Sequence, residues 1–438
     1  MIRLLAKFGL SRPELRAWAM YDWAVSGLQT VIMTAVFPIY FVKVAAANIG
    51  ETAGLQQYAR ANVIAMVIVA LISPFLGAMA DYAGAKKRFL AFFTMLGVIS
   101  TIAMVGIDRG DIRMAETLFV LSMIGGTGCM VFYEGILPHI ASRDEFDRVS
   151  TASYGLGYLG GGLLVTLNLL WIQKPEWFGL PEGTLPARLA LASVGVWWAI
   201  FALPLFLKVP EPPRLLESDE RAGQNPIAVA LTRVVETLRE LRGYKQAFLL
   251  LGAFLIYNDG VSTIIKMATA YGTEIGISQG AMIGAVVLVQ FVGVPFAFLF
   301  GHLAGRIGAK NAVLGALVVY AIITVLGFYM RTATHFMILA GLVGMVQGGV
   351  QSLSRSLFAS MIPPHKSGEF FGFYSVFEKF AGIFGPLLFY VMIEATGSSR
   401  NAILSILVFF VVGGLLLTRV DVAEGQRVAK ERERESVA

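Results

Sequence analysis

The stretch FLIYNDGVSTIIKMATAYG, residues 254–272, lies in an apolar run long enough to cross a membrane, yet it carries Asp259 and Lys266. Seven residues make about two helical turns, so both charges leave the helix on nearly the same face, roughly 10 Å apart. A charge at the centre of a bilayer costs on the order of 2.5–3.5 kcal/mol even on the lenient insertion scale. A helix that keeps two of them is expected to face a wet cavity, where one side of a solute's charge is read.

The remainder of the chain agrees. Of its 438 residues 56% are hydrophobic and 15% charged, where a soluble domain carries about 25% charge. Mean hydropathy is +0.70, which excludes a soluble globular protein. The balance of +6 would point to nucleic acid in a soluble chain; in a membrane chain it reflects Lys and Arg held in inside loops, and no nucleic-acid partner is expected. The single cysteine, Cys129, rules out a disulfide framework or a cysteine-based metal site. His139, His302, His335 and His365 stand alone, without metal-ligand spacing. No P-loop, nucleophile–base pairing or metal cluster stands out, so neither an enzyme nor a bound cofactor is expected. The opening MIRLLAKFGLSRPELR reads as a short cytoplasmic lead rather than a signal peptide.

At roughly 20 apolar residues per span, about 12 candidate helices emerge, from 17–43 to 401–419. The chain therefore reads as an all-α integral membrane protein: an N-terminal six-helix half over 1–208, a linker over 209–245, a C-terminal six-helix half over 246–420, and a disordered tail over 421–438. Apolar residues at helical spacing in the second half of the linker predict an amphipathic helix on the membrane surface. With the N-terminus inside, the inside segments hold about 24 of the 35 basic residues and the outside loops roughly eight. Both termini are thus expected in the cytoplasm, the membrane being the plasma (inner) membrane in a bacterium.

The halves repeat one another. GAMADYAGAKKR (77–88) aligns with GHLAGRIGAKNA (301–312) at an offset of 224, and YDWAVSG (21–27) aligns with YNDGVST (257–263) without gaps. Parallel six-helix repeats about an axis along the membrane normal are the architecture of major facilitator transporters, with the solute site between the halves. The loop carrying Gly77, Asp81, Gly84, Lys86, Lys87 and Arg88 resembles that superfamily's pattern between helices 2 and 3. Its glycines permit a tight turn between close helices, and Asp81 is placed to take N–H groups or a cation when that face is shut.

Three blocks narrow the resemblance: YDWAVSGLQTVIMTAVFPIYF (21–41), residues 254–272, and GGVQSLSRSLFASMIPPHKSGEFFGFYSVFEKFAGIFGPLL (348–388). Together they resemble the vacuole-effluxer-like branch of the major facilitator superfamily, which includes the autophagy-related vacuolar amino-acid effluxers of fungi and many bacterial relatives. Two positions depart from its pattern: Val25 stands where an asparagine is expected, and Glu134 where the fourth helix usually carries a neutral amide. The resemblance implies that helices 1, 4, 7 and 10 line a central cavity.

The intramembrane charges are Asp22 on helix 1, Glu134 on helix 4, Asp259 and Lys266 on helix 7, Arg355 on helix 10, and Glu378 with Lys379 on helix 11. Asp22, Ser26 and Gln29, and likewise Gln347, Gln351, Ser354 and Arg355, fall on single helix faces. Such faces turn away from lipid, which offers them no partners. Depth counted along the helices puts Asp259 near the midplane, making it the candidate for a solute amine or a proton. Lys266, Arg355, Gln351 and Ser26 complete a candidate solute site, with Arg355 able to grip a carboxylate or phosphate bidentately. Asp22, Glu134 and Glu378 are candidates for proton coupling or gating. Pairing of Glu134 with Arg355 to shut the cytoplasmic face is the alternative, as is local unwinding of helix 7 at its Asn-Asp-Gly, or snorkelling of Lys266 to the outer interface. Glu378 and Lys379, as neighbours, are expected to point apart and find separate partners. The leading function is a secondary transporter moving a small polar or zwitterionic, amino-acid-like metabolite by alternating access, ion- or proton-coupled. A proton-coupled exporter of drugs or organic cations, and a non-transporting receptor on a transporter fold, are the alternatives.

Overall fold

A computed structural model describes residues 8–214, 225–239 and 243–437. Among them, eleven helices are long and apolar enough to cross a membrane, and a bent pair, Pro13–Ala35 with Phe37–Ala45, completes twelve spans. Helices are the form an apolar chain takes in lipid, because each satisfies its own backbone hydrogen bonds.

The spans are α1 (Pro13–Gly27, prolonged by a π-helical stretch Leu28–Ala35 and bent before Pro38), α2 (Glu51–Ala83), α3 (Lys86–Ala103), α4 (Ile112–Ile140), α5 (Phe146–Gln173) and α6 (Leu185–Lys208). The second half follows with α7 (Lys245–Glu274), α8 (Gln279–Ile307), α9 (Ala309–Phe328) and α10 (Ala333–Ser360). It ends with α11 in two pieces (Ser367–Phe380 and Phe384–Thr396) and α12 in two (Ser399–Ser405 and Leu407–Thr418). With an even number of spans both termini lie on one face, called here the terminal face; the opposite side is the far face.

The repeat extends to backbone geometry. Gly84, ending α2, and its counterpart Gly308, between α8 and α9, both have positive φ, +60° and +84°, a conformation that a side chain disfavours. Each half then uses a lysine from this loop to cap its last helix. Lys87 Nζ donates to the carbonyls of Phe206 and Val209 at the end of α6. Lys310 Nζ donates to those of Thr418 and Val420 at the end of α12. A cation at a helix C-terminus meets both the orphan carbonyls and the negative end of the dipole.

Three expectations are corrected. The Asn-Asp-Gly run does not unwind α7, which is continuous through Gly260; the discontinuity falls in α11, where Gly382 has φ +98°. The tail is not disordered: Val422–Val437 is helical. Its charges fall at i+3 and i+4 spacing, Arg427 pairing with Glu424 and Glu431 at 2.8 and 2.6 Å, and Ala429 is fully buried. Finally, Glu378 and Lys379 do not find separate partners, since they pair with each other at 3.3 Å. They lie in the last turn before the break, where long side chains can bend towards one another.

Within the expected linker, Pro226–Arg239 forms a helix packed on α2. Ala230 and Arg233 are buried, while Ile227, Leu231 and Val235 are exposed along the helix at successive i+4 positions. Residues 215–224 and 240–242 of that linker lie outside the described residues.

Candidate functional site

The two halves meet along α5 with α8 and α10, and along α11 with α2 and α4. Two polar constructions occupy these contacts on the terminal-face side.

The first is built around Arg355, which is fully buried on α10. Its guanidinium lies 3.3 Å from Asp22 on α1 and 3.9 Å from Glu134 on α4. Its Nε donates to Ser150 Oγ at 2.9 Å, and Nη2 to the Ser150 carbonyl at 3.1 Å, both on α5. Trp18, Tyr133 and Tyr154 surround it with ring centroids 4.6–5.8 Å from the guanidinium carbon. Asp22 also accepts from Ser153, whose hydroxyl meets that of Tyr133. One cation of the C-terminal half is thus shared by two carboxylates of the N-terminal half, all three largely out of water. With both carboxylates ionised the group carries one uncompensated negative charge, a state that burial opposes unless a proton or another cation joins.

The second construction is the loop after α2. Asp81 pairs with Lys86 and accepts the Glu369 N–H, in the first turn of α11, at 2.9 Å. A carboxylate at a helix N-terminus meets orphan donors and the positive end of the dipole. Gly77 permits the approach: a Cβ there would lie 2.1 Å from the Gly368 carbonyl oxygen. His139 on α4 reaches both Lys86 (3.2 Å) and Ser367 (3.3 Å). Arg88 is exposed.

Asp259 and Lys266, with which the reading of the chain began, belong to a third arrangement. Asp259 is buried, and its two oxygens accept the N–H groups of Phe384 (3.0 Å) and Gly385 (2.8 Å), where α11 restarts. Lys266 donates to the Gly382 carbonyl at 3.3 Å, inside the break. Two charges seven residues apart on α7 therefore serve the two sides of one interruption in α11, the anion at the new N-terminus and the cation at the freed carbonyl. Neither lines the cavity described next.

That cavity, about 210 Å³, lies on the far-face side and runs from the central axis into the C-terminal bundle. Its walls come from α1, α7, α8, α9, α10 and α12, chiefly Met267, Tyr271, Met282, Phe336, Leu339 and Val343. Gln29, Gln290 and Gln347 supply amides, with Thr30 and Thr34 beside them. Of the expected solute site, Ser26 bonds back to the Asp22 carbonyl at 2.5 Å, and Gln351 donates to Asn258 at 2.5 Å. The structure therefore unites Asp22, Glu134 and Arg355 but keeps Asp259, Lys266, Gln351 and Ser26 out of the cavity lining. Ser150, Ser153, Tyr133 and Gln290 were not singled out in the sequence. A hydroxyl within a span gives no outward signal, because it can always bond back to its own helix, as Ser352 does to Gly348.

Known proteins bear on this geometry as follows. Residues 51–430 match the family described as "Vacuole effluxer Atg22 like". The MFS-type transporter YxiO of Bacillus subtilis is 35% identical over 433 residues, spanning 94% of this chain and 96% of its own. Autophagy-related protein 22-1 of Penicillium rubens is 26% identical across 64% of this chain, which spans about half of that relative's length. Among solved structures, the proton:xylose symporter XylE superposes with a TM-score of 0.70 at 16% identity, over 93% of this chain and 95% of its own. The human organic anion transporter MFSD10 gives 0.67 at 15%, over 93% and 99%. These likenesses concern the fold alone.

Proposed function

The chain belongs to the Atg22-like vacuole effluxer family of the major facilitator superfamily, whose members are secondary transporters, and from that premise we propose that it moves a small amphiphilic metabolite of amino-acid size in a proton-coupled cycle of alternating access. The terminal face is taken as cytoplasmic, from the excess of Lys and Arg in its loops. The state described is then shut towards the cytoplasm, with its cavity in the outer half of the membrane.

The observation that carries the proposal is the sharing of Arg355 between Asp22 and Glu134. A proton on either carboxylate weakens the hold of one half on the other without leaving an unpaired buried anion. Proton uptake and opening of the cytoplasmic face thereby become one event. Glu134, the more distant partner at 3.9 Å, is assigned the proton; Asp22, with its additional hydroxyl donor, keeps the ion pair. The remaining lock joins Asp81 of α2 to Lys86 and to the first turn of α11. Size supports the solute reading: the cavity suits a compact metabolite rather than a peptide or lipid. An organic-cation exporter draws less support, since no carboxylate is among the described residues that line the cavity.

The test is flux of labelled N-acetylphenylalaninamide, and of a labelled amino-acid mixture beside it, into proteoliposomes, with and without an imposed proton gradient, for the parent and Glu134→Gln. Gradient-accelerated flux in the parent, with exchange retained but insensitive to the gradient in Glu134→Gln, is expected. A variant that still follows the gradient removes Glu134 from the coupling. Absence of any flux in folded parent protein ends the amino-acid reading.

A further inference from the structure

The cavity carries a statement about the solute that the intramembrane charges had obscured. Among the described residues that line it there is not one Asp, Glu, Lys, Arg or His. Its polar equipment is neutral: the amides of Gln29 on α1, Gln290 on α8 and Gln347 on α10, with the hydroxyl-bearing Thr30 and Thr34 beside them. The three glutamines come from both halves of the molecule and make no side-chain hydrogen bond among the described residues, so their donors and acceptors are free for a solute. Around them stand Phe336, Leu339, Val343 and two methionines, Met267 and Met282; flexible thioethers of this kind adapt to an apolar body of varied outline.

We propose that the outward cavity is the recognition site for an electrically neutral amphiphile. Its apolar body, of the size of a substituted ring, enters the C-terminal bundle against Phe336 and the methionines. Its hydrogen-bonding head is read by Gln29, Gln290 and Gln347. The volume fits, since a dry cavity of ~150 Å³ admits benzene and this one measures about 210 Å³. The chemistry fits as well. An ammonium or carboxylate placed here would lose water and meet no counter-charge, because Asp259 and Lys266 are committed to the break in α11 and Asp22, Glu134 and Arg355 to the cytoplasmic lock. The inference rests on the transporter reading for its meaning, but it concerns binding and not coupling.

The experiment is therefore calorimetric titration of the full-length protein in nanodiscs with four probes that share one phenyl body: N-acetylphenylalaninamide (neutral), phenylalanine (zwitterion), phenethylamine (cation) and 3-phenylpropionate (anion). The neutral member is expected to bind at least tenfold more tightly than each ionised one. Gln290→Leu and Gln347→Leu should each weaken it several-fold, and Ala340→Phe, which fills the cavity wall, should abolish it; thermal unfolding of each variant verifies that it is folded. An ionised probe binding as tightly as the neutral one overturns the proposal. So does neutral binding that survives Ala340→Phe, or a folded protein that binds none of the four. Failure of proton coupling in the flux assay leaves these titrations intact, and the titrations can fail while coupling holds, so the two readings fall separately.

Discussion

Removing the guanidinium of Arg355 should unlock the cytoplasmic face. Each ion pair it makes, at 3.3 and 3.9 Å, has a Coulomb energy of about 5 and 4 kcal/mol at an effective dielectric near 20. Desolvation cancels much of that, and the measured consequence of deleting one partner of a buried pair is about 3–5 kcal/mol. This penalty falls on the shut state, where Asp22 and Glu134 are held out of water; once the halves part, water solvates them. Arg355→Gln is thus expected to shift the shut-to-open ratio by at least about a hundredfold. The reporter is Thr151→Cys in a Cys129→Ser background. Thr151 is 1% exposed and lies at the contact of α5 with Gly301 of α8, where opening uncovers it. A membrane-impermeant maleimide applied from the cytoplasmic face should label it about a hundred times faster in Arg355→Gln than in the parent. Neutralising the whole group, with Asp22→Asn and Glu134→Gln added, should bring the rate back to within tenfold, because no unpaired charge is then left buried. Labelling of Arg355→Gln within threefold of the parent would falsify the assignment of this group as an energetic lock.

Three further expectations use the same reporter or thermal unfolding in detergent. Gly77→Val places side-chain atoms where the Gly368 carbonyl already lies, so it should cost the shut state about 1–3 kcal/mol and raise labelling at position 151; a rate equal to the parent's would show that α2 and α11 separate freely. Asp259→Asn turns an acceptor of two N–H groups into a group that accepts one and confronts the other with its own donors. It should destabilise by about 1–3 kcal/mol, whereas Lys266→Gln, at an exposed side chain, should cost less than about 1 kcal/mol; the reverse order of melting temperatures would contradict the capping account of the α11 break. Truncation after Val420 removes a helix that meets Arg143 of the N-terminal half through Glu433, and Ser360 of the C-terminal half through Gln426. Labelling should rise only a few-fold, as befits a partly exposed bridge, and a hundredfold rise would make the tail the principal lock.

Much of this molecule was legible before any coordinates. GAMADYAGAKKR and its copy at 301–312 announced two related halves, and the two segments carry the paired positive-φ glycines and, one position out of register, the lysine caps. Asp22, Glu134 and Arg355 were marked as charges needing partners, and pairing of Glu134 with Arg355 was one of the alternatives in view; the share of Asp22 in it was not. Asp259 shows where such reading stops. Its place on α7, two turns from Lys266, was read from the sequence, yet the groups that satisfy it belong to residues 382–385, more than a hundred positions away along the chain. The tail misled for a related reason: a composition that solvates an isolated segment also makes a helix when its charges fall one turn apart and a docking surface is present.

Membrane class, span number and the two-half plan were determined by the sequence alone. Hydropathy is a local property, and lipid allows a spanning chain almost no backbone form except the helix. Which charge answers which, and which polar groups remain free for a solute, only the tertiary structure decided. A buried charge or amide states that it requires a partner, but the partner is chosen by how helices from different parts of the chain pack. Packing gave Asp259 and Lys266 to the break in α11 and Arg355 to the lock. It left three glutamines facing the cavity.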